Sequence, residues 1–331
     1  MKRGIFILHA EAFETIYGGE HRQAIAELVD IAGPPVTADA VLTDPAVLRD
    51  VELVFSGWGA PQMDAAFLAA APELEAVFYG AGSVRGFVTD ALWERGVVVT
   101  SGWAMNAVPV AEFALSQILF SLKRGWAHAM SIARRGRDGR QRMPVPGAYH
   151  TRVGIISLGA IGRLVCKLLR PFDVDVLACD PYVDDAVFDQ LGVRRASLEE
   201  IFARCHVVSL HAPNLPSTRG MIAGGHFTSM PKDATFINTA RGDIIREEEL
   251  VAVLRQRPDL WAVLDVLADG DRGADPAIYD LPNVVLTPHI AGALDGERRR
   301  MGAAMVAELR RYLAGQPLQW QITRELLAHM A

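Results

Sequence analysis

The stretch Val153-Gly-Ile-Ile-Ser-Leu-Gly-Ala-Ile-Gly162 constrains this chain more than any other. An apolar run, a glycine-bearing turn and a helical pattern read as strand–turn–helix, and Asp180 closes the next apolar run, Val174–Cys179. This is a dinucleotide fingerprint inside a βαβ unit, which implies a parallel sheet covered by helices. Gly159 would let the backbone approach a pyrophosphate, and Gly162 would allow close helix–strand packing. Ala160 and Ile161 open the helix, whose free N–H groups would face the phosphates. Asp180 stands 18 residues after Gly162, near the ~20 expected for a carboxylate on a ribose 2′-hydroxyl. No arginine follows it directly, so NAD is favoured over NADP. Ser157 occupies the place of the fingerprint's first glycine.

Alternating strands and helices extend the pattern in both directions. Before the fingerprint, Gly4–His9, Val51–Ser56, Ala76–Tyr79 and Val97–Thr100 read as strands. Helical stretches fall at Glu20–Ala32, Asp64–Ala70 and Val88–Arg95, and a long apolar helix starts at Ala104. Arg134 to Gly147 has no periodicity and reads as an exposed connector. The second series has strands at Val153–Ser157, Val174–Cys179, Val207–Leu210, Thr235–Asn238, Ala262–Val266 and Val284–Leu286. Ser197-x-x-Glu200 marks a capped helix start. Glu297–Leu313 is amphipathic and crosses back to the first series. At 331 residues the chain exceeds the ~250–300 that one core supports. The expected fold class is therefore α/β: two doubly wound parallel-sheet (Rossmann-like) domains with a cleft between them. Residues 1–103 plus 293–331 would form a discontinuous substrate domain, and 104–292 the NAD-binding domain.

Composition narrows the partners. A net charge of −6 offers no electrostatic footprint for nucleic acid or an anionic membrane. Three cysteines cannot build a full disulfide framework and point to a reducing compartment. Glu11 and Glu14 interrupt the first apolar run too early for a secretory signal, so a cytoplasmic location is expected. Asn106, Pro109, Glu112 and Gln117 mark the long apolar helix as buried rather than membrane-spanning. His206 and His211 lie five apart on an extended run and make no metal motif, so no metal is expected.

Three clusters sit where strands of the second series should end: Asn238-Thr-Ala-Arg241-Gly242, Leu264-Asp265-Val266 and Thr287-Pro-His289-Ile-Ala-Gly292. Together with Tyr79-Gly-Ala-Gly-Ser-Val84, Val110-Ala-Glu112 and His211-Ala-Pro213, they make the chain resemble the D-isomer-specific 2-hydroxyacid dehydrogenases along nearly its whole length. Reduction of a 2-oxo acid needs a cation for the carboxylate and a proton for the oxygen. Arg241 suits the first task through its planar, permanently charged fork. His289 suits the second as a group that titrates near neutrality. The resemblance implies that backbone N–H groups of Ala81, Gly82 and Ser83 also hold the carboxylate. It further implies that Asp265 orients the nicotinamide, and that Ala160, Ile161, His211, Ala212, Pro213, Thr239, Ala240, Arg241, His289 and Gly292 line the cofactor.

Family members usually carry a glutamate five residues after the strand aspartate, bonded to the histidine. Here that position is Gly270, and Asp269 or Asp271 would have to substitute. The expected activity is NAD-dependent interconversion of a small anionic 2-hydroxy acid and its 2-oxo acid, D-specific by resemblance. Formate and phosphite are same-class alternatives, and an NAD-binding corepressor-like regulator is the alternative of another class. The resemblance also implies a homodimer, with the long apolar helix at its interface.

Overall fold

Parallel strands buried on both faces read as continuous apolar runs, and that is how the central strands of this chain read. The computed structural model describes residues 1–268, 275–328 and 330. Two units emerge: Met1–Asn106 with Ala293–Ala331, and Ala107–Gly292.

In the first unit, β1 (Arg3–Ile7), β2 (Asp30–Ile31), β3 (Leu53–Ser56), β4 (Ala76–Tyr79) and β5 (Val98–Ser101) pair in parallel in the order β2-β1-β3-β4-β5. A C-terminal strand, Gln321–Ile322, adds antiparallel to β5. Alternation sends Ile5, Ile7, Val54, Val77 and Tyr79 to one face. Phe6, Leu53, Phe55 and Phe78 go to the other. The helix Arg299–Leu313 covers this aromatic face with Ala304, Met305, Val306 and Leu309. The expected helix over 20–32 is shorter, Gly19–Ala26, because Asp30–Ile31 pairs with β1 instead. A helix over Ala10–Ile16 has no counterpart in the sequence reading.

The second unit holds β6 (Tyr149–Ile156), β7 (Asp173–Cys179), β8 (Arg194–Arg195), β9 (Val207–Leu210), β10 (Thr235–Asn238), β11 (Trp261–Leu264) and β12 (Val284–Leu286). They form one parallel sheet in the order β8-β7-β6-β9-β10-β11-β12. Strand order reverses at β6, so the carboxyl ends of β6 and β9 flank the point where such sheets bind ligands. Both faces are apolar, one around Phe202, Phe227 and Phe236, the other around Val153, Ile155 and Val263. Ser197 and Glu200 make the expected reciprocal cap.

The connector expected over 134–147 begins later: a helix runs Gly125–Arg135, and a 3₁₀ turn takes Gly136–Gly139. The helix Trp103–Leu122 is long and apolar enough to cross a membrane by length and composition. Its Ala111, Ala114, Ile118 and Leu122 are nevertheless buried in the second unit's core.

Candidate functional site

The helix Ala160–Leu169 starts at the turn after β6 with no side-chain cap, so its first N–H groups lack side-chain acceptors. A Cβ on Gly159 would meet nothing within 4 Å, whereas one on Gly162 would lie 2.0 Å from the Ser157 carbonyl oxygen. The turn is thus open above and closed below, as a phosphate cradle requires. Asp180, at the end of β7, is buried. Its Oδ2 accepts from Leu158 N (2.7 Å) and Ser157 Oγ (3.2 Å), and its Oδ1 accepts from Tyr182 N (2.9 Å). Asp180 therefore also clamps the glycine turn itself.

Two buried polar atoms at this edge, Thr239 Oγ1 and His211 Nδ1, have no partner among the described residues. Buried polar groups are rarely left so unless something binds them. His211 Nε2 meets Ser209 Oγ at 3.0 Å, and burial pushes the imidazole pKa down to about 3, so it sits neutral. Ala212 and Ala240 are buried, while Ala160, Ile161, Pro213 and Gly292 are half-buried along the same strand ends. An extended dinucleotide fits this set of residues.

Arg241, Asp265 and His289 follow β10, β11 and β12, three neighbouring strands. At about 4.8 Å per strand, the outer two ends lie roughly 10 Å apart. Asn238, fully buried, ties the Arg241 turn: its Oδ1 accepts from Ala240 N (2.9 Å) and its Nδ2 donates to Arg241 O (3.0 Å). Gly242 is obligatory, since a Cβ there would lie 2.0 Å from the Leu267 carbonyl carbon. The Arg241 guanidinium is half-buried, and burial lowers its pKa. Nη1 donates to Ala240 O (2.6 Å), and no carboxylate pairs with it among the described residues.

Asp265 is 2% exposed. Oδ1 accepts from Thr287 Oγ1 (2.5 Å) and Ile290 N (2.8 Å), and Oδ2 accepts from Ala291 N (2.8 Å). His289 N donates to Asp265 O (3.1 Å). The aspartate thus shapes the loop that carries His289. His289 is exposed and takes a left-handed φ of 54°, a conformation rare outside glycine that often marks a functional position. Glu247, buried, accepts from Ala268 N (2.9 Å) and Asp275 N (2.8 Å). Asp269, Gly270 and Asp271 lie outside the described residues. No group of three metal-ligating side chains gathers among the described residues.

In the first unit, the loop after β4 holds Ala81, Gly82 and Ser83. Ser101 Oγ, at the end of β5, faces Ala81 O (2.9 Å) and Gly82 O (2.6 Å) and accepts from Trp103 N (3.2 Å). With those carbonyls turned inward, the N–H groups of Ala81, Gly82 and Ser83 make no hydrogen bond among the described residues. They are free to receive an anion. Asn238 and Thr287 were visible inside the motif clusters, though not as site-builders; nothing local in the sequence marks Glu247 or Ser101.

Residues 116–291 match the family described as D-isomer specific 2-hydroxyacid dehydrogenase, NAD binding domain. The second unit is thus an NAD-binding domain. Over 257 residues the chain is 32% identical to D-3-phosphoglycerate dehydrogenase of Mycobacterium leprae, covering 78% of this chain and 48% of that protein. The chain therefore spans about half the length of that relative. It is 31% identical over 288 residues to (S)-sulfolactate dehydrogenase of Chromohalobacter salexigens, covering 84% of this chain and 91% of that protein. Apo D-mandelate dehydrogenase of Rhodotorula graminis shares the fold, with a TM-score of 0.82 at 21% identity over 98% of both chains.

Proposed function

This chain belongs to the D-isomer-specific 2-hydroxyacid dehydrogenases, and from that premise we propose that it interconverts a small 2-hydroxy acid and its 2-oxo acid with NAD. One observation carries the reading: a half-buried guanidinium without a carboxylate partner among the described residues and an exposed imidazole on a strained loop end neighbouring strands of the NAD-binding unit. When bound, NADH supplies the hydride to C2 of the oxo acid. Arg241 pairs with the substrate carboxylate and polarises the ketone, worth more in a water-poor setting than in bulk. His289 gives its proton to the carbonyl oxygen as the C2–H bond forms, leaving the hydroxyl; in oxidation it takes that proton back. Ala81, Gly82 and Ser83 donate N–H groups to the carboxylate. Asp265 keeps one lightly used oxygen for the nicotinamide carboxamide. Asp180 takes the adenosine ribose, and its charge disfavours a 2′-phosphate.

The relatives carry the names of 3-phosphoglycerate and sulfolactate, both 2-hydroxy acids, in keeping with the proposed reaction class. D stereochemistry, a homodimer and a cytoplasmic location complete the reading. Phe120, Ile132 and Tyr149 are exposed apolar residues of the second unit, of the kind an interface with a second copy would use. The negative net charge speaks against nucleic acid and anionic membranes. A corepressor-like regulator would have no need of Arg241 and His289 together.

The purified chain with NADH and a panel of 2-oxo acids is expected to consume NADH absorbance and yield one product enantiomer. His289→Gln should lower kcat/KM by about a thousandfold while NADH fluorescence titration changes little. Tight NADH binding with a flat trace across the panel would instead favour the regulator.

A further inference from the structure

The carboxyl edge of the first unit's sheet places an indole on each side of the Ala81–Ser83 loop. Trp58 lies two residues beyond β3 and Trp103 two beyond β5, with β4 and its loop between them. Both indoles are half-buried and pack on the same apolar cluster, with Leu327 and Met330 among their neighbours on it. Trp103 Nε1 is buried and lacks an acceptor among the described residues.

Two guanidiniums at this edge, those of Arg85 and Arg298, are already engaged. Arg85, two residues past Ser83, spends Nε on Met330 O (3.1 Å) and Nη2 on Leu327 O and Met330 O. Arg298 stacks on the Trp58 ring at 4.7 Å. Its Nη1 donates to Glu11 Oε1 (2.9 Å) and Thr15 Oγ1 (3.2 Å), and its Nε to Ala293 O (3.3 Å). Arg299 packs against Gly18 beside Glu20; its Nη1 has no partner among the described residues but is buried there, closed to solvent. His9 is left exposed next to Gly59, an imidazole rather than a guanidinium fork.

From this juxtaposition we infer that the substrate's side chain is uncharged and bulky, aromatic or branched aliphatic, received beside Trp58 and Trp103, and carries no distal phosphate or sulfonate. The inference rests on the dehydrogenase reading and adds the substrate class. A distal dianion brought against two indoles would shed water while the Arg85 and Arg298 guanidiniums beside them are already spent and Arg299 Nη1 is closed to solvent, a costly exchange. An apolar group gains from the same contact. The buried indole N–H needs one acceptor, which an ordered water or the substrate's own oxygen satisfies.

The test compares kcat/KM for NADH-dependent reduction of pyruvate, 4-methyl-2-oxopentanoate, phenylglyoxylate, 3-phosphohydroxypyruvate and sulfopyruvate by the full chain. The branched or phenyl acid is expected to exceed both distal anions by at least about a hundredfold. Trp58→Ala should cut the ratio of that acid to pyruvate by tenfold or more, and Trp58→Arg should raise the ratio of the phosphorylated acid to pyruvate. Highest efficiency with the phosphorylated or sulfonated acid overturns the inference while leaving the dehydrogenase reading intact. A chain that binds NADH yet reduces none of the five overturns both.

Discussion

Ser157 takes a φ of 75°, the conformation for which the fingerprint uses glycine. A side chain there costs about 1 kcal/mol in backbone strain, partly offset by the hydroxyl's bond to Asp180. Ser157→Ala keeps the strain and loses the bond, so it should be about 1 kcal/mol less stable than wild type. Ser157→Gly exchanges both terms and should lie close to wild type; urea midpoints would rank the three. His211 gives a pH-dependent counterpart. Its folded pKa of about 3 lies below the ordinary 6.5, so the unfolded chain binds the extra proton. The stability due to neutral burial is therefore complete above pH 6.5 and lost as pH falls toward 3. Between pH 7 and pH 5 the loss from this one group should be about 2 kcal/mol. Denaturation of His211→Asn at the two pH values should show a loss smaller by that amount.

Ser101 ends β5, yet its hydroxyl organises the loop after β4. Ser101→Ala should leave the sheet intact and let the Ala81 and Gly82 carbonyls turn outward. The expected outcome is a KM for the 2-oxo acid raised by about tenfold with kcat changed less, since such a bond contributes about 1 kcal/mol; steady-state kinetics would separate the two. The strands β3, β4, β9, β10 and β12 were legible because each is an apolar run bounded by turn residues. The two-residue edge strands, Asp30–Ile31, Arg194–Arg195 and Gln321–Ile322, were not, because two residues carry no period. The site divides in the same way. Arg241 and His289 could be placed because strand ends can be counted. Ser101's hold on Ala81, 20 residues away, and Glu247's on Ala268 and Asp275, 21 and 28 away, belong to tertiary structure alone.

The chain leaves the first unit after Asn106 and re-enters at Ala293. Those two positions touch: Asn106 Oδ1 accepts from Ala293 N at 2.9 Å. Residues 107–292 are contiguous with a core on each sheet face, so this segment expressed alone should fold and unfold cooperatively by circular dichroism. Residues 1–106 joined to 293–331 by a short Gly-Ser linker should do the same, because the ends to be joined are already adjacent.

That adjacency also fixes a schedule during synthesis. Phe6, Phe55 and Phe78 are made early, but the helix that covers them, Arg299–Leu313, starts more than two hundred residues after the last of them. At roughly 5–20 residues per second the ribosome takes on the order of ten to forty seconds to deliver it. Throughout that interval the nascent amino-terminal sheet presents a greasy aromatic wall to the cell, an obvious handhold for a chaperone. The inserted unit can finish folding while its host still waits.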